Sequence, residues 1–301
     1  MAWISEKFRG KYGFGASSAA EDITKGVDGT GLTAIVTGAT SGICLETARV
    51  LALRGVRVAI PVIDLESGQK VKRSIVEKIP NAKIDVMLLD INSLISVRKF
   101  ASEYRSKGLP LDILILNGGI VTSRFSHIKD GLNLQFVSNY HGNFLLTNLL
   151  LDTMKRSVKK SRKEGRIVIL SPDIHRINEE NPKNAHYELS EYSSALHVME
   201  LTRRLKEEGV NITADCLHLG VIATNLAERG GYTGYLYGAY NRIMKNVPQG
   251  AATTCHVALN PQVHGIDGPY FSDNNFKDAP DPVSAKDYWD FTLSEIDKIN
   301  Y

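Results

Sequence analysis

The sequence predicts one α/β domain of 301 residues, a doubly wound parallel sheet with helices on both faces. Three observations predict it. Short runs rich in Ile, Val and Leu recur along the chain, they alternate with stretches of helical period, and no repeat or composition break divides them. Near-continuous apolar strands are those buried on both faces, and intervening helices supply the crossovers that parallel strands need.

In chain order the predicted strands are Leu32–Val36, Val56–Val62, Ile84–Leu89, Ile113–Leu116, Arg166–Leu170 and Ile212–Leu217. Helical patterns fall between and after them at Ile43–Leu53, Glu66–Lys78, Leu94–Ser106, Leu134–Lys155 and Glu191–Lys206. Residues 1–30 read as an N-terminal strap over the domain. After the sixth strand the Gly/Tyr-rich piece Glu228–Tyr240 interrupts the alternation. Ligands in such sheets bind outside the carboxyl ends of the strands, so residues 225–247 are expected to form a lid.

Composition narrows the function classes. A hydrophobic content of 43% and a charged content of 23% are those of an ordinary globular protein. A net charge of +3 is too small to point to nucleic acid, and the basic run Lys155 to Arg166 is expected to be a solvated helix end and loop. Cys44, Cys216 and Cys255 are odd in number and widely spaced, which gives neither a disulfide framework nor a metal site. A reducing compartment, the cytoplasm, is the expectation. No apolar stretch reaches the ~18 residues of a membrane-spanning helix, and the first residues carry neither a signal-peptide nor a transit pattern.

The chemistry concentrates in a few motifs. The first strand runs into Thr37-Gly38-Ala39-Thr40-Ser41-Gly42-Ile43-Cys44 and then a helix. Glycines at such a turn let the backbone approach a pyrophosphate resting on the helix N-terminus. Further along lie LLDINS at Leu88–Ser93, LDILILNGGI at Leu111–Ile120, GRIVILS at Gly165–Ser171, Tyr187, and GVIATNL at Gly220–Leu226. Together these pieces resemble the short-chain dehydrogenase/reductase family over nearly the whole chain. GFGASSAAEDIT at Gly13–Thr24, Asn139 with Gly142, His175-Arg176, QGAATTCHVALNPQVHG at Gln249–Gly265 and GPYFSDNN at Gly268–Asn275 place it nearer a plant branch. That branch holds chloroplast-envelope, translocon-associated members, with retinol dehydrogenases further off. The chloroplast surface is therefore the alternative location.

The resemblance implies a Rossmann-like fold and an Asn–Ser–Tyr–Lys active site, in which the tyrosine exchanges a proton and the lysine lowers its pKa. Carried over, the asparagine is Asn139 and the tyrosine Tyr187, but the serine position is Pro172 and the lysine position is Glu191. The cofactor positions are altered as well. The third glycine of the turn is Cys44, the arginine that would grip a 2′-phosphate is Ile63, the first asparagine after the fourth strand is Leu116, and the proline after the sixth is Leu219. Gly38, Gly42, Asp90 on the adenine side, Asn117 and Thr224 remain as cofactor-binding remnants. The resembling family also often pairs through its long fourth and fifth helices, so a homodimer is expected.

An anion beside a phenol raises its pKa where a cation lowers it. At ~4 Å and an effective dielectric near 20 the Coulomb energy is on the order of 4 kcal/mol before screening. Tyr187 facing Glu191 is thus expected to stay protonated and donate, with Glu191 available as a general base. His175 and the lid tyrosines Tyr232, Tyr235 and Tyr237 are expected to wall a pocket for a small apolar or aromatic substrate. Cys44 can be read as an activated thiolate or as a small side chain filling a glycine gap, and the second reading is preferred. The favoured function is a non-redox enzyme of plant specialised metabolism (cyclisation, isomerisation or a related rearrangement) that needs no cofactor. An NADP(H)-dependent oxidoreductase with an altered proton relay and a catalytically silent binding protein are the alternatives.

Overall fold

A computed structural model describes residues 10–117, 137–170, 185–219, 222, 245–266, 270–272, 275–277 and 285–298, with backbone alone at 138, 185–191, 270 and 275–277. Its strands are β1 (Thr33–Val36), β2 (Arg57–Val62), β3 (Ile84–Leu88), β4 (Ile113–Leu116), β5 (Gly165–Leu170), β6 (Ile212–His218), β7 (Tyr270–Ser272) and β8 (Asn275–Lys277). They form one sheet in the order β3-β2-β1-β4-β5-β6-β7-β8, parallel throughout except for the β7–β8 pair. All six predicted strands are present. β1 and β4 are buried at every residue, as strands covered on both faces must be.

The helices are α1 (Ala20–Ile23), α2 (Gly42–Leu53), α3 (Leu65–Lys78), α4 (Leu94–Ser106), α5 (Gly142–Ser161), α6 (Ala185–Glu207), α7 (Val247–Leu259) and α8 (Ala285–Lys298). Two apolar cores lie on opposite faces of the sheet. One is centred on Phe100, Tyr104, Phe144 and Ile169, the other on Leu51, Ile60, Ile115 and Phe271. This is the doubly wound arrangement.

Local sequence explains where elements begin. The Asp64 carboxylate accepts from the backbone N–H groups of Glu66 and Ser67 and caps α3. Asn246 and Gln249 form a reciprocal capping box at the start of α7. Of the predicted helix at Leu134–Lys155, residues 134–136 lie outside the described residues; from there a π-helical turn, Val137–His141, leads into α5, which runs past the predicted end to Ser161. The predicted helix at Glu191–Lys206 begins earlier, at Ala185, so Tyr187 and Glu191 stand one turn apart within α6.

The basic run also needs correction. Arg166 is not solvated: it pairs with Glu164 at 3.0 Å and donates to the carbonyls of Val257 and Asn260 at the end of α7. Its place on β5, beside the α7 terminus, turns a surface cation into an interior cap. Residues 10–30 lie against α2 and α7. The rings of Tyr12 and Phe14 meet His256 edge-on, and Asn260 Nδ2 donates to the carbonyl of Ile23.

Candidate functional site at the carboxyl ends of the central strands

Strand order reverses between β1 and β4, and the crevice outside their carboxyl ends is where such sheets bind ligands. Gly38 and Gly42 carry φ of +71° and +56°, a region closed to most side chains and open to glycine. Ser41 precedes α2 without capping it through its side chain, so the first N–H groups of α2 face the crevice. Thr37 ties the turn to β4: its hydroxyl accepts the N–H of Asn117 at 3.2 Å.

Asn117 is buried, yet among the described residues neither end of its side-chain amide has a hydrogen-bond partner. Such a buried amide at a strand end calls for a polar partner brought from outside. Cys44 sits beside it, with Sγ 3.5 Å from the Asn117 carbonyl oxygen. Burial pushes the Cys44 thiol up to about 12, despite hydrogen bonds that favour the thiolate. This is the filler of a glycine gap and not an activated nucleophile.

The two neighbouring strand ends are less polar. Ile63, just past β2, is 68% exposed, and Leu65 and Leu88 beside it are also exposed. Asp64 between them is committed to its helix cap. After β3, Asp90 Oδ1 accepts from both the backbone and the side-chain nitrogen of Asn92. Its carboxylate holds the β3–α4 loop.

On the other side of the crevice Asn139 lies buried in the π-helical turn, and its carbonyl accepts from Asn143 Nδ2 at 3.0 Å. Turns of this kind interrupt helices mostly at functional positions. His141, in the same turn, is buried and held neutral: burial lowers it to about 4, with Glu295 opposing weakly. One residue of this region escapes sequence reasoning. Lys245 is buried and donates its ammonium to the carbonyl of Leu219 at the end of β6. It falls near the end of the expected lid, and only the long-range bridge to Ile222 brings it there.

The described residues therefore bring Gly38, Gly42, Asn117 and Cys44 together, place Asp90 at the sheet edge and set Asn139 across the crevice. Tyr187 and Glu191 are placed by backbone alone. Thr224, His175, Pro172, Tyr232, Tyr235 and Tyr237 lie outside the described residues, as does the expected lid up to residue 244. Among the described residues no group of His, Cys, Asp and Glu could hold a metal ion, and no helix is long and apolar enough to cross a membrane.

The short chain dehydrogenase family profile matches residues 32–231. Short-chain dehydrogenase TIC 32 B, chloroplastic, of Brassica napus is 42% identical, over 96% of this chain and 96% of its own length. Retinol dehydrogenase 12 of Mus musculus is 32% identical, over 83% of this chain and 80% of its own. A solved Pseudomonas aeruginosa structure, the RhlG/NADP active-site complex, superposes with a TM-score of 0.69 at 19% identity, covering 82% of this chain and 97% of that one. At that identity it speaks for the fold alone. Against a phosphorylated nicotinamide dinucleotide, the described residues match at the glycine turn and Asn117. They do not match at the adenosine end, where Ile63 stands in the place of a cation and Asp64 is engaged as a cap.

Proposed function

The chain belongs to the short-chain dehydrogenase family, and from that premise we propose that it is a member that catalyses a non-redox rearrangement of a small apolar or aromatic substrate. The observation that carries the reading is the state of the nucleotide positions. Exposed Ile63 and the committed Asp64 offer a 2′-phosphate no cation at these two positions, and Cys44 stands at the third glycine position. The lysine that would hold a nicotinamide ribose is replaced by Glu191.

The chemistry left to the site is proton transfer. Glu191 as a carboxylate removes a proton from a carbon next to a substrate carbonyl, while the Tyr187 phenol donates to the oxygen as it gains charge. Returning the proton at a different carbon, or closing a ring through the enol, completes an isomerisation or cyclisation with no change in oxidation state. A protonated phenol is what a neighbouring carboxylate favours, and preorganised donors stabilise developing oxyanions without a cofactor. Asn139 serves as a further polar anchor. By the name of the Brassica relative, a chloroplast location is favoured over the cytoplasm.

One observation favours the oxidoreductase alternative. The retained glycines and the unpartnered amide of Asn117 suit a phosphate-bearing ligand. Calorimetric titration with NADPH and NADH separates the two readings. Micromolar binding with turnover of any carbonyl substrate would overturn the non-redox proposal. Comparison of metabolites made with wild-type protein and with Tyr187→Phe then tests the catalytic assignment. Identical product profiles would remove Tyr187 from the mechanism.

A further inference from the structure

The π-helical turn and α6 approach the crevice from different parts of the chain, and α8 is tied to both. Tyr140, next to Asn139, has its hydroxyl 2.8 Å from Thr292 Oγ1 on α8. Thr292 in turn donates its own proton to the carbonyl of Tyr288 at 2.7 Å, so Tyr140 is the donor in the first bond. The Tyr288 hydroxyl lies 2.6 Å from Ser193 Oγ, two residues beyond Glu191 on α6. Tyr140 and Thr292 are buried, and the rings of Tyr140 and Tyr288 pack with centroids 5.6 Å apart.

We propose that Tyr140, Thr292, Tyr288 and Ser193 form a clasp through which the C-terminal helix fixes the turn bearing Asn139 relative to the helix bearing Tyr187 and Glu191. This rests on the site reading above and goes beyond it by assigning α8 a role in positioning the site. The physical basis is that each link is a hydrogen bond between hydroxyls, or from hydroxyl to carbonyl, with the Tyr140–Thr292 bond buried and the two bonds of Tyr288 half-buried. A buried donor left without its partner is costly, so the two ends do not shift independently. Arg204 of α6, stacked 4.6 Å from the Trp289 ring of α8, holds the same two helices together further along.

The test compares two Thr292 variants. Thr292→Val keeps the shape but removes both the acceptor for Tyr140 and the donor to Tyr288. Thr292→Ser keeps the hydroxyl. Amide hydrogen exchange of the ligand-free full chain is the first readout. Exchange across residues 137–143 is expected to be about tenfold faster in Thr292→Val, the fold-change of one lost buried hydrogen bond, and restored in Thr292→Ser. Exchange in β1 and α2 should be unchanged. Tyr288→Phe, which cuts only the link to Ser193, should speed exchange over residues 192–196 and leave 137–143 as in the wild type.

Equal protection in Thr292→Val and wild type would overturn the clasp. So would uniform acceleration over the whole chain, or equal effects of Val and Ser. If a product is found, Thr292→Val should lower kcat more than it raises KM, since the clasp orients groups and does not bind substrate. If no product is found, the exchange result still stands, and only the catalytic reading fails.

Discussion

His197 is enclosed by Phe144, Tyr140 and Trp289, and burial lowers its imidazole to about 3. With His141 at about 4, the native chain resists two protons that the unfolded chain accepts below about pH 6.5. A depressed histidine favours the native state fully above pH 6.5, and the advantage is lost as pH falls from there toward the folded value. Between pH 6.5 and 5 the loss is about 2 kcal/mol per imidazole. Urea midpoints at pH 7 and pH 5 should therefore differ by more in the wild type than in His197→Leu. Equal differences would show that His197 takes no part. The sequence gives no hint of this histidine's role, because its surroundings come from α5 and α8, far away in the chain. Cys44 is the opposite case. Its place after Gly42 is legible in the sequence, and only the choice between thiolate and filler needed the structure.

Elements whose signal is local were legible, and those assembled from distant pieces were not. The six central strands follow from short runs rich in Ile, Val and Leu, and α4 from its helical period, with the Ser93 cap found in the structure. The π-helical turn is invisible in the period of Leu134–Lys155, since it lies near the start of that stretch and too few apolar positions precede it to show a change of phase. β7 and β8, three residues each and set among Gly, Asp and Asn, carry too short a pattern to read. The join between the turn and α5 depends on Gly142. A Cβ there would lie 2.3 Å from the carbonyl oxygen of Ile91 and 2.9 Å from its side chain. The carbonyl is backbone and cannot swing aside, so Gly142→Ala must push α5 off the β3–α4 loop. A loss of roughly 1–3 kcal/mol is expected, in the range of overpacked interiors. Asp64→Ala, which removes the exposed α3 cap, should destabilise the chain by less than Gly142→Ala. Denaturant unfolding orders the two, and a Gly142→Ala chain as stable as wild type would contradict the close approach.

Over the whole molecule, the fold is that of the family, and the proposed function asks only that the chemistry of its crevice differ, a separation that folds commonly permit. The sheet, the glycine turn and the helix carrying Tyr187 are those of the short-chain dehydrogenases. By the resemblance, residues 44, 63, 172 and 191 depart from the family pattern. If these departures together weakened nucleotide binding, reverting them in pairs should show where the loss lies. A ligand that binds only the native state raises stability by RT ln(1 + [L]/Kd), about 2.7 kcal/mol at a hundredfold excess over Kd. The thermal midpoint in excess NADPH is thus a reporter that needs no substrate. Glu191→Lys with Pro172→Ser restores the charge and hydroxyl beside Tyr187, whereas Cys44→Gly with Ile63→Arg restores the turn and the 2′-phosphate grip. The first pair is expected to increase the NADPH-induced shift over that of the wild type. If it does not and the second pair does, the loss lies at the pyrophosphate and adenosine end, where Ile63 is exposed and Asp64 is bound to α3. A stabilising wild-type shift as large as that of either pair would mean that the crevice never lost its nucleotide, and with turnover of a carbonyl substrate the oxidoreductase reading would replace the rearrangement.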